Sequence, residues 1–183
     1  VLSEMGGKVL IADDVGLGKT IEAGLILKEQ LLRGFVRRCL IVAPPGVLLD
    51  QLREEMQAKF LIDFVPYSTS GDERAGWCGP GTVEDNDCVI VSKALISRDD
   101  SVAPLVDQAW DAVIIDECHH FKNHRTNSWK NLRRLTAGAK SVVMLSATPF
   151  SGKPEELWAL YSVIDPGYLG NDTRDFANRF LLP

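Results

Sequence analysis

The chain has 183 residues, 45% hydrophobic and 25% charged, with a formal net charge of −5; this is ordinary globular composition, long enough for one well-buried domain. The acidic balance excludes a generic polyanion binder, so any nucleic-acid contact has to be local. No apolar run approaches the roughly 20 residues that cross a bilayer, and the N-terminus lacks the order of a signal peptide, so no membrane association and a cytoplasmic location are expected.

Short apolar segments rich in Val, Ile and Leu alternate with segments of helical period, the pattern of an α/β fold: a mostly parallel sheet flanked by helices in three layers, α/β/α. The first predicted strand, 8–13, runs into "DDVGLGKT" and then a predicted helix at 19–33. A strand turning through Gly16-Leu17-Gly18 into a helix leaves successive backbone N–H groups around a concavity suited to an anion. Lys19 can reach the terminal phosphates of a nucleotide, and the Thr20 hydroxyl can hold magnesium. The strict phosphate-loop motif wants glycine at position 13, where this chain has Asp13. The bland alternative is a glycine-rich helix start without a ligand; the placement between strand and helix weighs against it.

Further strands are predicted at 38–43, 61–66 and 87–91, and further helices at 47–59 and 101–109. Between them 68–85, dense in Gly, Ser, Asp and Pro, reads as an exposed loop interrupting the sheet. The strand at 111–116 ends in two acids, "DAVIIDECHHF". Magnesium on a phosphate chain wants a carboxylate at the carboxyl end of a neighbouring strand, and hydrolysis wants a second one to orient and deprotonate water. Asp116 fits the metal role and Glu117 the base. Two alternatives stand beside this: acids that merely cap or solvate a strand end, and a zinc site from Cys118, His119, His120 and His124. A helix at 126–136, a strand at 141–146 and a helix at 154–164 complete the pattern. Cys39, Cys78, Cys88 and Cys118 include no C-x-x-C pair and read as reduced thiols, and Trp77 and Trp110 as packing residues. The chain reads as a piece of a longer protein.

With "VVMLSATPF" at 142–150 following the two motifs, the chain resembles the first RecA-like lobe of a helicase superfamily two motor, within the Swi/Snf ATPase family. "ADDVGLGKT" is similar to that family's D-E-x-G-L-G-K-T, "DECHH" to its D-E-A-H box and "LSATP" to its S/T-A-T motif. "IVAPPGVLLDQLREE", "FKN", "ELWALYSVIDPGYLG" and "FANRF" fall where the family has comparable segments. The similarity covers nearly the whole chain, 1–183, as a single P-loop NTPase lobe. Its first motif is particularly close to bacterial members, one of which recycles stalled RNA polymerase.

The resemblance implies an ATP-binding segment of Asp13, Asp14, Val15, Gly16, Leu17, Gly18, Lys19 and Thr20. Lys19, Asp116 and Glu117 would be the catalytic groups, with magnesium on Thr20 and Asp116. His119, Ser146 and Thr148 would couple the nucleotide to a nucleic-acid track. Asp14 stands where the family usually has Glu, and Cys118 where it has Ala. Ser92 and Lys93 read two ways: as contacts to backbone phosphates of DNA, or as a solvated helix start. The basic stretch 122–134 likewise reads as a solvated helical face or a nucleic-acid contact. The implied function is ATP hydrolysis coupled to movement on double-stranded DNA; the alternative is an inactive nucleotide-binding switch or scaffold. Implied partners are a second RecA-like lobe in the same polypeptide, double-stranded DNA and a protein such as RNA polymerase or another DNA-bound complex, in the bacterial cytoplasm or nucleoid. Without the second lobe's arginines, worth about 10³–10⁵ in rate, this piece alone is expected to hydrolyse ATP slowly or not at all.

Overall fold

A computed structural model describes residues 7–69, 76–149 and 151–181. Six strands form one sheet: β1 (Lys8–Ile11), β2 (Cys39–Ala43), β3 (Val65–Pro66), β4 (Cys88–Ser92), β5 (Ala112–Ile115) and β6 (Ser141–Leu145), in the order β1-β6-β5-β2-β4-β3. Every pairing is parallel. The helices are α1 (Lys19–Leu32), α2 (Val47–Phe60), α3 (Lys93–Ile96), α4 (Asp99–Val106), α5 (Asn127–Thr136), α6 (Pro154–Ile164) and α7 (Thr173–Phe180).

The central strands are apolar on both faces because both are covered. Alternate residues divide between two cores. Leu40, Val42, Val91, Val113, Ile115, Val142 and Met144 share one with Val102 of α4, Leu132 of α5 and Leu160 of α6. Cys39, Ile41, Ile90, Ile114, Val143 and Leu145 share the other with Ala23 and Leu27 of α1 and Met56 and Phe60 of α2. That period-2 division yields the three layers expected from the sequence.

Several predicted bounds shift. The strand expected at 61–66 is reduced to Val65–Pro66. Leu61 is instead the left-handed cap of α2 (φ 54°), and Pro66, lacking an N–H, suits the last strand of the sheet. The loop expected to be exposed over 68–85 buries Cys78 and Val83. Cys78 forms a parallel bridge with Tyr67, its N–H donating to Pro66 O at 2.9 Å while its carbonyl accepts from Ser68 N at 3.0 Å. Residues 70–75 of that loop, and Phe150 of the third motif, lie outside the described residues. The helix expected at 101–109 runs earlier, from Asp99, where two acids favour a helix start. Helix α3 begins where Ser92 and Lys93 read as a helix start; helix α7 was not expected.

The four cysteines are free thiols. Trp110 is buried, its indole N–H donating to Leu105 O at 2.7 Å, with the Arg38 guanidinium 4.9 Å over its ring. In the basic stretch Trp129 turns into the core and donates to Ala159 O at 2.9 Å, leaving Lys130 and Arg134 exposed. Among the described residues no helix is long and apolar enough to cross a membrane.

Candidate functional site

Because all strands are parallel, β1, β6 and β5 open their carboxyl ends on one edge of the sheet, where ligands of such folds collect. The glycine loop follows β1 and the acids follow β5. The two strands are not neighbours, contrary to the adjacency expected from the sequence: β6 lies between them, and its own continuation, Ser146 to Thr148, enters the same edge.

Gly16 (φ 84°) and Gly18 (φ 91°) take left-handed conformations that favour glycine. A side chain at Gly16 would meet no atom within 4 Å, so glycine is not demanded by crowding within the protein. The requirement is the backbone conformation and the open space in front of it. Gly18 caps α1 through its carbonyl, which accepts from Ile21 N at 2.8 Å and Glu22 N at 3.1 Å. The preceding amides, Gly18, Lys19 and Thr20, take no partner among the described residues, the state of a helix start ready for an anion. Lys19 Nζ donates to Asp13 O and Asp14 O, both at 2.9 Å, holding the loop closed on itself. Val15 and Leu17 are 85% and 65% exposed. Asp14 thus serves through its carbonyl; its carboxylate has no bond among the described residues.

At the end of β5, Asp116 N donates to Val42 O at 2.9 Å, extending the sheet by one bond. Glu117 then adopts a left-handed conformation (φ 49°, ψ 50°), rare for a residue with a side chain and costing about 1–3 kcal/mol. The chain thereby turns sharply into a 3₁₀ turn, Cys118–Phe121, anchored by the buried Cys118 and Phe121. Glu117 N donates to Asp116 Oδ1 at 2.9 Å. Burial and then the neighbouring Glu117 charge push the Asp116 carboxyl above its ordinary range, while that amide, Lys19 and His119 pull the other way.

His119 Nδ1 lies 3.0 Å from Glu117 Oε2 and 3.1 Å from Ser146 Oγ. Ser146 is fully buried; its Oγ accepts from Thr148 N at 3.2 Å, and its own N–H donates to Ile11 O, the last residue of β1, at 3.1 Å. The structure thus links His119, Ser146 and the Thr148 backbone by hydrogen bonds that reach the strand leading to the glycine loop, with the Glu117 carboxylate in ion-pair contact with His119.

Ser92 ends β4 and Lys93 opens α3, and the registers Ala43↔Ser92 and Val42↔Ile115 carry them to the rows of Asp116 and Glu117. The Ser92 hydroxyl caps α3 by accepting from Ala94 N at 3.2 Å. Lys93 has no hydrogen bond or ion pair among the described residues; burial lowers its pKa and the Glu117 charge opposes that. His120, whose ring lies 4.2 Å from that of His119, is pushed below its ordinary range by burial, then by Lys93 and His119.

The zinc alternative finds no cage: among the described residues no three His, Cys, Asp or Glu are gathered to hold a metal. Burial, then Glu117 and Asp116, push the Cys118 thiol up to about 12, where it stays protonated. His124 instead packs edge-on against Trp129 and Trp158, at 6.1 and 5.6 Å. Magnesium on a phosphate chain needs few protein ligands, and the unbonded Thr20 hydroxyl, the Asp116 carboxylate and the open amides suit it.

Sequence reasoning missed the backbone turn at Glu117 and the Ser146–Ile11 bond. It also left Ser151 and Glu156 unassigned and read Lys122 only as part of the basic stretch 122–134, although "FKN" and "ELW" were singled out as family-like segments.

The SNF2-related domain model matches residues 3–183. The "uncharacterized ATP-dependent helicase YqhH" of Bacillus subtilis (strain 168) is 39% identical over 171 residues, covering 93% of this chain and 28% of that protein. The RNA polymerase-associated protein RapA of Yersinia enterocolitica is 33% identical over 175 residues, covering 93% of this chain and 18% of its own length. The SWI2/SNF2 ATPase core of Sulfolobus solfataricus, solved in complex with double-stranded DNA, superposes with a TM-score of 0.77 at 26% identity, covering 98% of this chain and 36% of that one. The chain therefore spans well under half of each.

Proposed function

Since the chain belongs to the SNF2-related family, we propose that residues 1–183 are the first RecA-like lobe of an ATPase that couples hydrolysis to movement on double-stranded DNA. What supports this reading is the meeting, on one sheet edge, of the open amides of Gly18, Lys19 and Thr20 with the Asp116–Glu117 pair, the strands that carry them flanking β6 and tied to it, at β1, by the Ser146 N–H to Ile11 O bond.

In this reading the amides of Gly16, Gly18, Lys19 and Thr20 hold the phosphate tail, and Lys19 leaves the Asp13 and Asp14 carbonyls for the terminal phosphates. Thr20 and Asp116 would hold magnesium, which when bound supplies charge neutralisation at the transferring phosphoryl. Glu117 Oε2 orients the attacking water and takes its proton, with the His119 Nδ1–H fixing the carboxylate. His119, Ser146 and Thr148 link that carboxylate to the rim of the sheet. Ser92 and Lys93 offer a hydroxyl and an ammonium to the DNA backbone.

The RapA relatives are named for association with RNA polymerase, and a solved relative holds double-stranded DNA. We extend both by analogy: the parent protein acts on duplex DNA beside a DNA-bound complex, in the bacterial cytoplasm or nucleoid, with a second RecA-like lobe closing on the nucleotide. The test is the ATPase rate of the intact parent with duplex DNA, single-stranded DNA, RNA or no nucleic acid. Stimulation by the duplex is expected; equal rates in all four would overturn the reading.

A further inference from the structure

The stretches "FKN" and "ELW" meet in the fold. Lys122 closes the 3₁₀ turn that begins after Glu117 and carries His119. Ser151 follows Thr148 by three residues, and Glu156 stands in the first turn of α6. Lys122 Nζ donates to Ser151 Oγ at 3.1 Å and lies 3.3 Å from Glu156 Oε2. Ser151 in turn donates twice to the same carboxylate, from its N–H at 2.7 Å and from its hydroxyl at 2.9 Å to Oε2.

We propose that Lys122, Ser151 and Glu156 form a positioning strut that fixes both the acid-bearing turn and the segment after Thr148 to α6, so that the two move as one body when DNA engages. This rests on the DNA-dependent ATPase reading above.

The strut has a rigid footing. Trp158 and Leu160 of α6 are buried, and Trp158 Nε1 donates to Gly170 O at 3.1 Å. The side chains of Lys122 and Glu156 are only 31% and 14% exposed, so salt and water screen the pair less than a free surface pair. The one hydroxyl proton of Ser151 is shared between Oε2 at 2.9 Å and Oε1 at 3.1 Å, beside the N–H on Oε2, which sets direction as well as attraction. The strut also lies in parallel with the His119–Ser146 bond. Two separate links between the same pair of segments resist rotation, where one alone would act as a hinge. None of the three residues belongs to the glycine loop or the acid pair, so losing the strut leaves the nucleotide contacts in place.

The experiment compares wild-type parent protein with Lys122→Met, Glu156→Gln, the double variant and Lys122→Arg. It reads kcat and KM for ATP with and without duplex DNA. KM and the DNA-free kcat are expected to stay near wild type, while the DNA-stimulated kcat falls about 2- to 30-fold. The double variant should be no worse than the weaker single, because both remove one interaction, and Lys122→Arg should recover most of the stimulation. If Lys122→Met does not fold, Ser151→Ala at its exposed position is expected to show the same split. Stimulation unchanged in all the variants, or equal losses with and without DNA, would overturn the strut. A wild-type parent that duplex DNA does not stimulate would overturn the translocase reading itself, and the strut's role with it.

Discussion

His119 Nδ1 sits 3.1 Å from the hydroxyl of the fully buried Ser146, joining the turn after β5 to the segment after β6. Ser146→Ala keeps the His119–Glu117 contact but removes the acceptor for Thr148 N. The variant is expected to lose about 1 kcal/mol of stability and to lower the DNA-stimulated ATPase of the parent about tenfold or less, leaving ATP affinity intact. Denaturant melts and steady-state rates check both.

Lys19→Ala removes the two bonds to the Asp13 and Asp14 carbonyls, which lie at an exposed surface. The fold should persist, since no core contact changes. Nucleotide binding should weaken by about 1.5–3 kcal/mol, the worth of hydrogen bonds to a charged group, as read by calorimetric titration of ATP.

Gly24 lies inside α1, where alanine normally adds about 1 kcal/mol of helix stability. Here an added Cβ would sit 2.1 Å from Phe60 Cε2 of α2, so overpacking, about 1–3 kcal/mol, should win. Gly24→Ala is expected to lower the melting temperature, and Gly24→Ala/Phe60→Leu to recover part of it.

Asp111, at the opposite edge of the sheet, accepts from Arg37 N, Arg38 N and Lys140 Nζ at 2.9, 3.0 and 2.7 Å. Burial acts to raise its pKa, but the Lys140 and Arg38 and Arg37 hydrogen bonds outweigh it and hold the carboxyl at about 2. A depressed folded-state pKa adds stability that is present above the unfolded value of about 3.9 and is lost as pH falls toward 2. Asp111→Asn should cost about 1–2 kcal/mol near neutrality, discounted for partial exposure, and the difference from wild type should vanish in melts near pH 2.

Both the sheet and the glycine loop were legible because their signals are local. A run such as "CLIVA" reads as a two-faced buried strand on its own, and the positive-φ glycines at 16 and 18 sit within a few residues of the lysine and threonine they serve. What escaped is set by distant partners. Leu61 reads as strand, but the end of α2 makes it a left-handed cap. Helix α7, eight residues long, is too short for a period to show. The insertion of β6 between β1 and β5 follows from the pairing of β1 with a strand more than a hundred residues away in sequence, and the conformation of Glu117 from the burial of Cys118 and Phe121 behind it.

The most direct measurement of whether the glycine loop and the acids form one hydrolytic site is ATP binding and DNA-stimulated hydrolysis by the parent protein carrying Glu117→Gln. ATP affinity within about threefold of wild type with hydrolysis reduced at least about 10²-fold is expected, the usual range for losing a positioned general base. Hydrolysis at the wild-type rate in that variant would contradict the account.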